Sequence, residues 1–244
     1  SAAGSLHFYK ENNIWKLEGY PCLPVYQERI RRFLASLAAA VYYEKKSDKA
    51  EYLSRFGLAP AAAKDSPATE VLLEGENGKK LADFSIGKYD IDIGRGARAA
   101  YIRFADKFQV WMVKADSIDS STAANDWTYS SWWNLRFGRL SGFNGSNNLN
   151  RTTELVKTLL NTAFVDSAEG EAEGKKVLSL KLDVENAVQT EIDIWQNEGH
   201  IYADYIFDSA GEKGYLGFFA ETAAKCRYEI SKDNLKKIED VVVT

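Results

Sequence analysis

The chain is poor in the residues that most often carry chemistry. Its 244 residues include two histidines, two cysteines and one methionine. The histidines and cysteines lie far apart, so they cannot form a zinc motif with local ligand spacing. Cationic excess is missing too. Lys and Arg number 31 against 35 Asp and Glu, for a net charge of −4, which argues against a protein that wraps nucleic acid. No run of about 18 apolar residues is present, so no segment reads as a membrane-spanning helix. No serine stands in a Gly-x-Ser-x-Gly elbow, which removes the hydrolase signature. Gly94-Arg95-Gly96 lacks the Lys-Ser/Thr ending of a phosphate loop. Asp90-Ile91-Asp92-Ile93-Gly94 fails as an EF-hand, because Gly94 and Tyr101 stand where a third ligand and a bidentate glutamate are needed. His7 and His200 each stand alone and read as surface or satisfied side chains rather than catalysts. With Ser1 at its start and Met112 as its one methionine, the chain is expected to derive from a product that begins further upstream.

What is there is ample apolar material in two rhythms. Hydrophobic residues make up 45%, and a chain of this length buries roughly 70% of its unfolded surface, enough for a core without metals or disulfides. Residues 7–9 and 14–17 alternate around Glu11-Asn12-Asn13, which predicts a hairpin, since asparagine tolerates positive φ in a tight turn. Tyr26, Ile30, Phe33, Leu34, Leu37 and Val41 recur at helical spacing and predict a helix of about five turns. Arg29, Arg31 and Arg32 fall off that stripe and are expected in solvent. A shorter helical turn over residues 49–56 ends at Gly57. Residues 71–73, 82–86, 99–104 and 108–113 then read as four antiparallel strands, with Asn77-Gly78 as a turn.

The second half repeats that order. Leu155, Leu159 and Ala163 mark a helix, and residues 177–182, 190–195, 201–207 and 227–230 read as strands. Glu169, Glu171 and Glu173 read as a solvated acidic tip. Between the halves, residues 115–150 are rich in Ser, Asn and Gly and hold the densest aromatic group, Trp127, Tyr129, Trp132 and Trp133. Such rings plug a sheet end, cap a partner's apolar surface or stack on sugars. The loop 143–148 reads as the boundary between halves. The fold class expected is therefore α+β. It comprises two related units, each a helix on an antiparallel sheet of about four strands, over residues 6–140 and 150–244. Cys22 and Cys226 read first as unrelated free thiols. The alternative is a disulfide from the start to the end of the fold, which would require an oxidising compartment and contribute about 4–5 kcal/mol.

A set of short motifs carries a family resemblance. They are Trp15-Lys16-Leu17, Gly19-Tyr20-Pro21, Tyr52-Leu53-Ser54-Arg55-Phe56-Gly57-Leu58 before Pro60, Phe84-Ser85-Ile86-Gly87-Lys88, and Ala100-Tyr101-Ile102-Arg103. In this order they resemble the bacterial domain of unknown function 4340 (DUF4340), most closely over residues 14–113. Phe56 stands where leucine is usual, a volume-tolerant change. None of the motifs is catalytic. Gly57 ends a helix, Gly87 permits a turn or bulge, and the apolar residues face a core. The resemblance implies an envelope protein with a soluble domain outside the cytoplasm behind one N-terminal membrane helix. It also implies genes beside ABC-type transporter subunits of the gliding-motility class.

The function expected is a non-enzymatic extracytoplasmic binding or scaffold domain, an auxiliary part of a membrane transport assembly. Its location would be periplasmic, anchored to the inner membrane. Its partners would be transporter subunits or other envelope proteins, with no nucleic acid, cofactor or metal, and with membrane contact only through an N-terminal anchor. The alternative is a ligand-binding module for carbohydrate or peptide that uses Trp127, Tyr129, Trp132 and Trp133.

Overall fold

The structure, a computed structural model, describes residues 5–60, 68–115, 118, 121–129, 131, 140–184, 189–207 and 225–243. It opens with the expected hairpin. Strands β1 (Phe8–Glu11) and β2 (Ile14–Leu17) pair antiparallel with Tyr9 opposite Lys16. Asn12 and Asn13 both take positive φ, 48° and 66°, the turn geometry that matches strand twist in a two-residue loop.

The chain divides into two compact units, one built on residues 27–126, to which residues 5–6 are also assigned, and the other on residues 7–26 and 127–244. This differs from the expected division into 6–140 and 150–244. The hydrogen bonds that cross the junction give the reason. Val25 bridges Thr128, the Tyr26 N–H donates to the Trp127 carbonyl at 2.7 Å, and the Tyr129 N–H donates to the Pro24 carbonyl at 2.8 Å. The chain thus leaves the second unit and re-enters it at neighbouring points, and residues 27–126 are an insertion. The loop 143–148 is no boundary. It is the turn inside the second unit that leads into a helix, with Asn144 and Gly145 at positive φ.

In the inserted unit, α1 (Gln27–Ala38) is followed by β3 (Val41–Lys45), β4 (Thr69–Glu74), β5 (Lys80–Ile86), β6 (Ile91–Asp92), β7 (Arg98–Phe104) and β8 (Val110–Lys114). The helix is shorter than its apolar stripe suggests. Val41 fits the stripe but opens β3, where Tyr42 lies opposite Val113. Cross-strand pairing of a β-branched and aromatic run outweighs helix continuation here. Arg31 and Arg32 are exposed as expected, whereas Arg29 is half-buried and donates to the Asp126 carbonyl. The sheet order is β3-β8-β7-β5-β4, with β6 also pairing β7, so it has six strands rather than about four. One face carries Phe84, Ile86, Ala100 and Val113, against which Phe33 and Leu37 of α1 pack. The other face receives a 3-10 helix over Ala50–Phe56, whose Leu53 joins Leu58 and Val110 in a small cluster. Gly57 ends that helix in the left-handed region at φ 69°, as the sequence predicts.

In the second unit, β9 (Leu140–Phe143) precedes α2 (Leu149–Asn161). There follow β10 (Asp166–Glu169), β11 (Lys175–Val184), β12 (Gln189–Asn197), β13 (His200–Phe207), β14 (Cys226–Glu229) and α3 (Lys232–Val243). The sheet order is β10-β14-β13-β12-β11-β9, again six strands. Alternation puts Leu180, Leu182, Ile192, Ile194, Ala203, Tyr205 and Tyr228 into one buried cluster with Leu155 and Leu159 of α2. Asn148 caps α2 by accepting from the Asn150 and Arg151 N–H groups. Helix α3 has no counterpart among the expected elements. It adds Leu235, Ile238 and Val241 to the same core, and the Arg151 guanidinium donates to the Val241 and Val242 carbonyls at its end, at 3.2 and 2.8 Å.

The two cysteines are not free thiols. Cys22 and Cys226 form a disulfide with their Cα atoms 5.7 Å apart. The segment that carries Cys22 belongs to the second unit, and the Tyr228 hydroxyl donates to the Cys22 carbonyl at 3.0 Å. A separation of 204 residues hides that proximity from any local reading.

Candidate functional site

Two clefts are candidates, one in each unit. The first, of about 340 Å³, lies beside the β1–β2 hairpin and the disulfide. It is lined by Tyr9, Trp15 and Tyr20 together with Glu11, Lys16, Glu169 and Lys225. The hairpin register sets Tyr9 against Lys16 and Lys10 against Trp15. Lys16 forms an ion pair with Glu11, and the Lys10 ammonium stands 5.9 Å from the Trp15 ring. Tyr9 and Tyr20 are exposed. Aromatic faces and charges of both signs around an open cleft suit binding of a ligand with apolar faces and polar edges.

The second cleft, of about 300 Å³, runs between α1 and its sheet. Leu34, Leu37 and Ala40 form one wall, and Tyr42, Phe84, Phe104 and Val113 belong to the other. Its described lining carries no charged side chain. Such a site takes aliphatic or aromatic groups and gives them no polar anchor.

Neither cleft is the one expected from aromatic density. Trp127 is only 4% exposed, with its ring 5.3 Å from Phe8. Tyr129 is half-buried, with its ring centroid 3.9 Å from that of Tyr26. Trp132 and Trp133 lie outside the described residues. The structure therefore brings Trp127 and Tyr129 to the hairpin side of the second unit as packing groups. The sequence reading missed Tyr9, Trp15 and Tyr20 as site residues. Trp15 and Tyr20 lie in motifs already noted, yet nothing local says that they face open space.

The outer face of the second sheet holds a charged cluster. Asp193 on β12 is buried and pairs with Lys176 at 2.5 Å, whose ammonium stands 4.8 Å from the Trp195 ring. Asp204 lies directly opposite Asp193 and accepts from the Ala172 N–H at 3.1 and 3.3 Å. This anchors the middle of the acidic tip: Ala172 is buried while Glu169, Glu171 and Glu173 stay exposed. Burial, above all, raises the Asp204 carboxyl above its ordinary range. The Ala172 N–H opposes that shift, and the charges of Asp193 and Glu171 add to it. A raised carboxyl favours the folded state fully below the ordinary carboxylate range, and that contribution is lost as pH rises through the folded-state value. Asp204→Asn keeps the acceptor and removes the half-buried charge. It is expected to raise the unfolding midpoint at about pH 7 and leave it unchanged at about pH 3, as read by denaturant titration at the two pH values.

Among the described residues no group of three or more His, Cys, Asp or Glu is placed to hold a metal ion, and no helix is long and apolar enough to cross a membrane. His7 and His200 each stand 2.7 Å from a glutamate, Glu18 and Glu229, as surface pairs.

The motifs of the resemblance fall in two places. Trp15-Lys16-Leu17 and Tyr20-Pro21 line the hairpin cleft. Phe56-Gly57-Leu58, Gly87-Lys88 and Tyr101 meet at one joint of the inserted unit, where the Lys88 N–H donates to the Phe56 carbonyl and the Tyr101 N–H to the Lys88 carbonyl, both at 2.9 Å. No curated protein and no solved structure matches the chain. One family model does, described as a domain of unknown function, and it covers residues 15–189. That match takes in the whole inserted unit and well over half of the sequence, and the chain belongs to the DUF4340 family.

Proposed function

We propose that this protein is a non-enzymatic, extracytoplasmic binding or scaffold domain, an auxiliary part of a membrane transport assembly whose partners are transporter subunits or other envelope proteins. The observation that carries the compartment is the Cys22–Cys226 disulfide, since such bonds persist in oxidising environments and are rare in reducing ones. The two open clefts support binding as the activity. Family membership supports the link to transport only through the resemblance described above.

The architecture fits a scaffold made by duplication. In each unit a helix leads into an edge strand, and a following meander ends on a strand that pairs with that edge. The orders are β3-β8-β7-β5-β4 in one sheet and β10-β14-β13-β12-β11-β9 in the other, matching over the first five places, with β9 extra in one and the short β6 extra in the other. This common order supports reading the units as related copies. A second reading, a ligand-binding module, is favoured by the hairpin cleft, where Tyr9, Trp15 and Tyr20 take the part first assigned to the Trp127 cluster.

The test is made in the cells that produce the protein. Thiols are blocked with an alkylating reagent before lysis, and the chain is then run with and without reductant. No alkylation of Cys22 or Cys226 until reductant is added is the expected result. Two alkylated thiols in the untreated sample would remove the extracytoplasmic reading. Photo-crosslinking from the hairpin cleft in intact membranes is expected to capture a transporter subunit or another envelope protein.

A further inference from the structure

Strand β3 is an edge of unusual character. It closes the order β3-β8-β7-β5-β4 on one side, and all five of its residues are exposed. Val41, Tyr42 and Tyr43 are 62%, 57% and 55% exposed. Among the described residues its backbone makes no hydrogen bond beyond the ladder to β8. Soluble proteins blunt such edges with charge, proline or a bulge, because unpaired N–H and C=O groups are a template for another strand. Here a bulge interrupts the pairing between Tyr42 and Glu44, but the three residues before Glu44 are apolar or aromatic. The strand in the same place of the other sheet, β10, reads Asp166-Ser167-Ala168-Glu169, the polar edge that solvent exposure favours. The contrast at one topological position marks β3 as a surface kept adhesive.

The apolar cleft lies directly behind this edge. Tyr42 stands in its lining with Leu37 of α1 and with Ala40, two residues past the helix, and its ring centroid is 4.8 Å from that of Trp111. A strand added to β3 would send every second side chain to this face, beside Tyr42 and over an apolar cleft. Free main-chain groups call for an extended backbone, and the uncharged wall calls for apolar side chains. Both requirements point to the same occupant.

We propose that β3 is a strand-addition site for an extended segment of a partner polypeptide that is apolar at alternate residues. This deepens the binding reading given above and rests on it for the biological partner, though not for the contact itself. The probe is a display library of random short peptides selected on the purified full chain, and the enriched peptides are then titrated. Enriched sequences are expected to be apolar at alternate positions and to bind with about micromolar affinity. Binding should slow amide exchange within residues 41–45.

Two variants read the edge. The Lys46 N–H donates to the Val110 carbonyl at 3.0 Å, so the Lys45 N–H faces outward by the alternation of antiparallel ladders, and Lys45→Pro removes an outward donor without a ladder bond. Tyr43→Lys adds a charge to the edge and serves if the proline variant does not fold. Either folded variant is expected to weaken peptide binding by about tenfold or more. Undiminished binding to a folded variant, or enriched peptides without alternation, overturns the proposal. Self-association of the chain through β3, seen by sedimentation and abolished by Tyr43→Lys, overturns it in favour of a second copy. The experiment uses purified protein, so free thiols in the cell would defeat the extracytoplasmic reading without touching this result.

Discussion

Replacing Cys22 and Cys226 together by alanine is expected to lower the stability of the second unit by as much as about 5 kcal/mol. The bond closes a separation of 204 residues, and in the chain-entropy model the stabilisation grows with the logarithm of the loop. The inserted unit lies inside that loop, since it occupies residues 27–126. If it stays folded while the second unit unfolds, the effective loop is roughly halved. A twofold shorter loop changes the closure term by only about 0.6 kcal/mol, so the expectation hardly depends on that point. Both sulfurs are buried, and loss of their packing adds to the effect. Typical domains hold about 5–15 kcal/mol in all, so the variant should lose much of its margin. Urea titration of wild type, reduced wild type and the double variant would check it. The reduced chain should lie well below the oxidised one, and the double-alanine protein lower still by the lost packing of two buried sulfurs. A difference under about 1 kcal/mol would mean that the hairpin is held by its non-covalent contacts alone.

The contrast between what the sequence discloses and what it hides follows the range of each interaction. The β1–β2 hairpin is legible because its turn, Asn12-Asn13, and its alternation lie within a few residues of each other. The 3-10 helix ending at Gly57 is legible for the same reason. Helix α1 is legible in kind but not in length, because Val41 satisfies a helical spacing and a strand pairing at once, and only its partner strand β8, some seventy residues on, decides between them. Unit boundaries failed on the same ground. The hydrogen bonds that join Pro24 and Tyr26 to residues 127–129 leave no trace in local composition, whereas the polar loop 143–148 leaves a strong one and is merely a turn. Among site residues, aromatic density singled out Trp127, Tyr129, Trp132 and Trp133; packing against Phe8 and Tyr26 absorbs the first two, and the other two lie outside the described residues. That Tyr9, Trp15 and Tyr20 line one cleft is a tertiary property, and the alternation that placed Tyr9 and Trp15 on a hairpin carries no statement about what stands opposite.

Gly87 is the sharpest case of a local motif with a distant cause, and Gly87→Ala is expected to cost about 2–4 kcal/mol. The sequence suggests a turn or bulge. The structure instead shows a close approach of two backbones. A Cβ on Gly87 would lie 2.3 Å from the Phe56 carbonyl oxygen and 2.8 Å from Cγ of Leu58. The nearest obstacle is main chain, so no rotamer change relieves it. The Phe56 carbonyl is also the acceptor for the Lys88 N–H, and the Gly87 N–H donates to the Tyr101 carbonyl, both at 2.9 Å. Pushing the carbonyl away would break the first of these bonds, worth about 1 kcal/mol. It would also lift Leu58 from Leu53 and Val110 and part Phe56 from Tyr101, whose rings now stand 4.9 Å apart. Two companions separate this cause from glycine's conformational freedom. Gly78 has φ of 69° and open space around its would-be Cβ, so Gly78→Ala should cost about 1–2 kcal/mol through backbone strain alone. Gly75 meets only Leu81 side-chain atoms, the nearest at 3.4 Å, so Gly75→Ala should change stability by less than about 1 kcal/mol in either direction. Unfolding midpoints for the three variants should fall in that order, with Gly87→Ala lowest. If Gly87→Ala proved no worse than Gly78→Ala, the joint between the 3-10 helix and β5 would be looser than the structure requires.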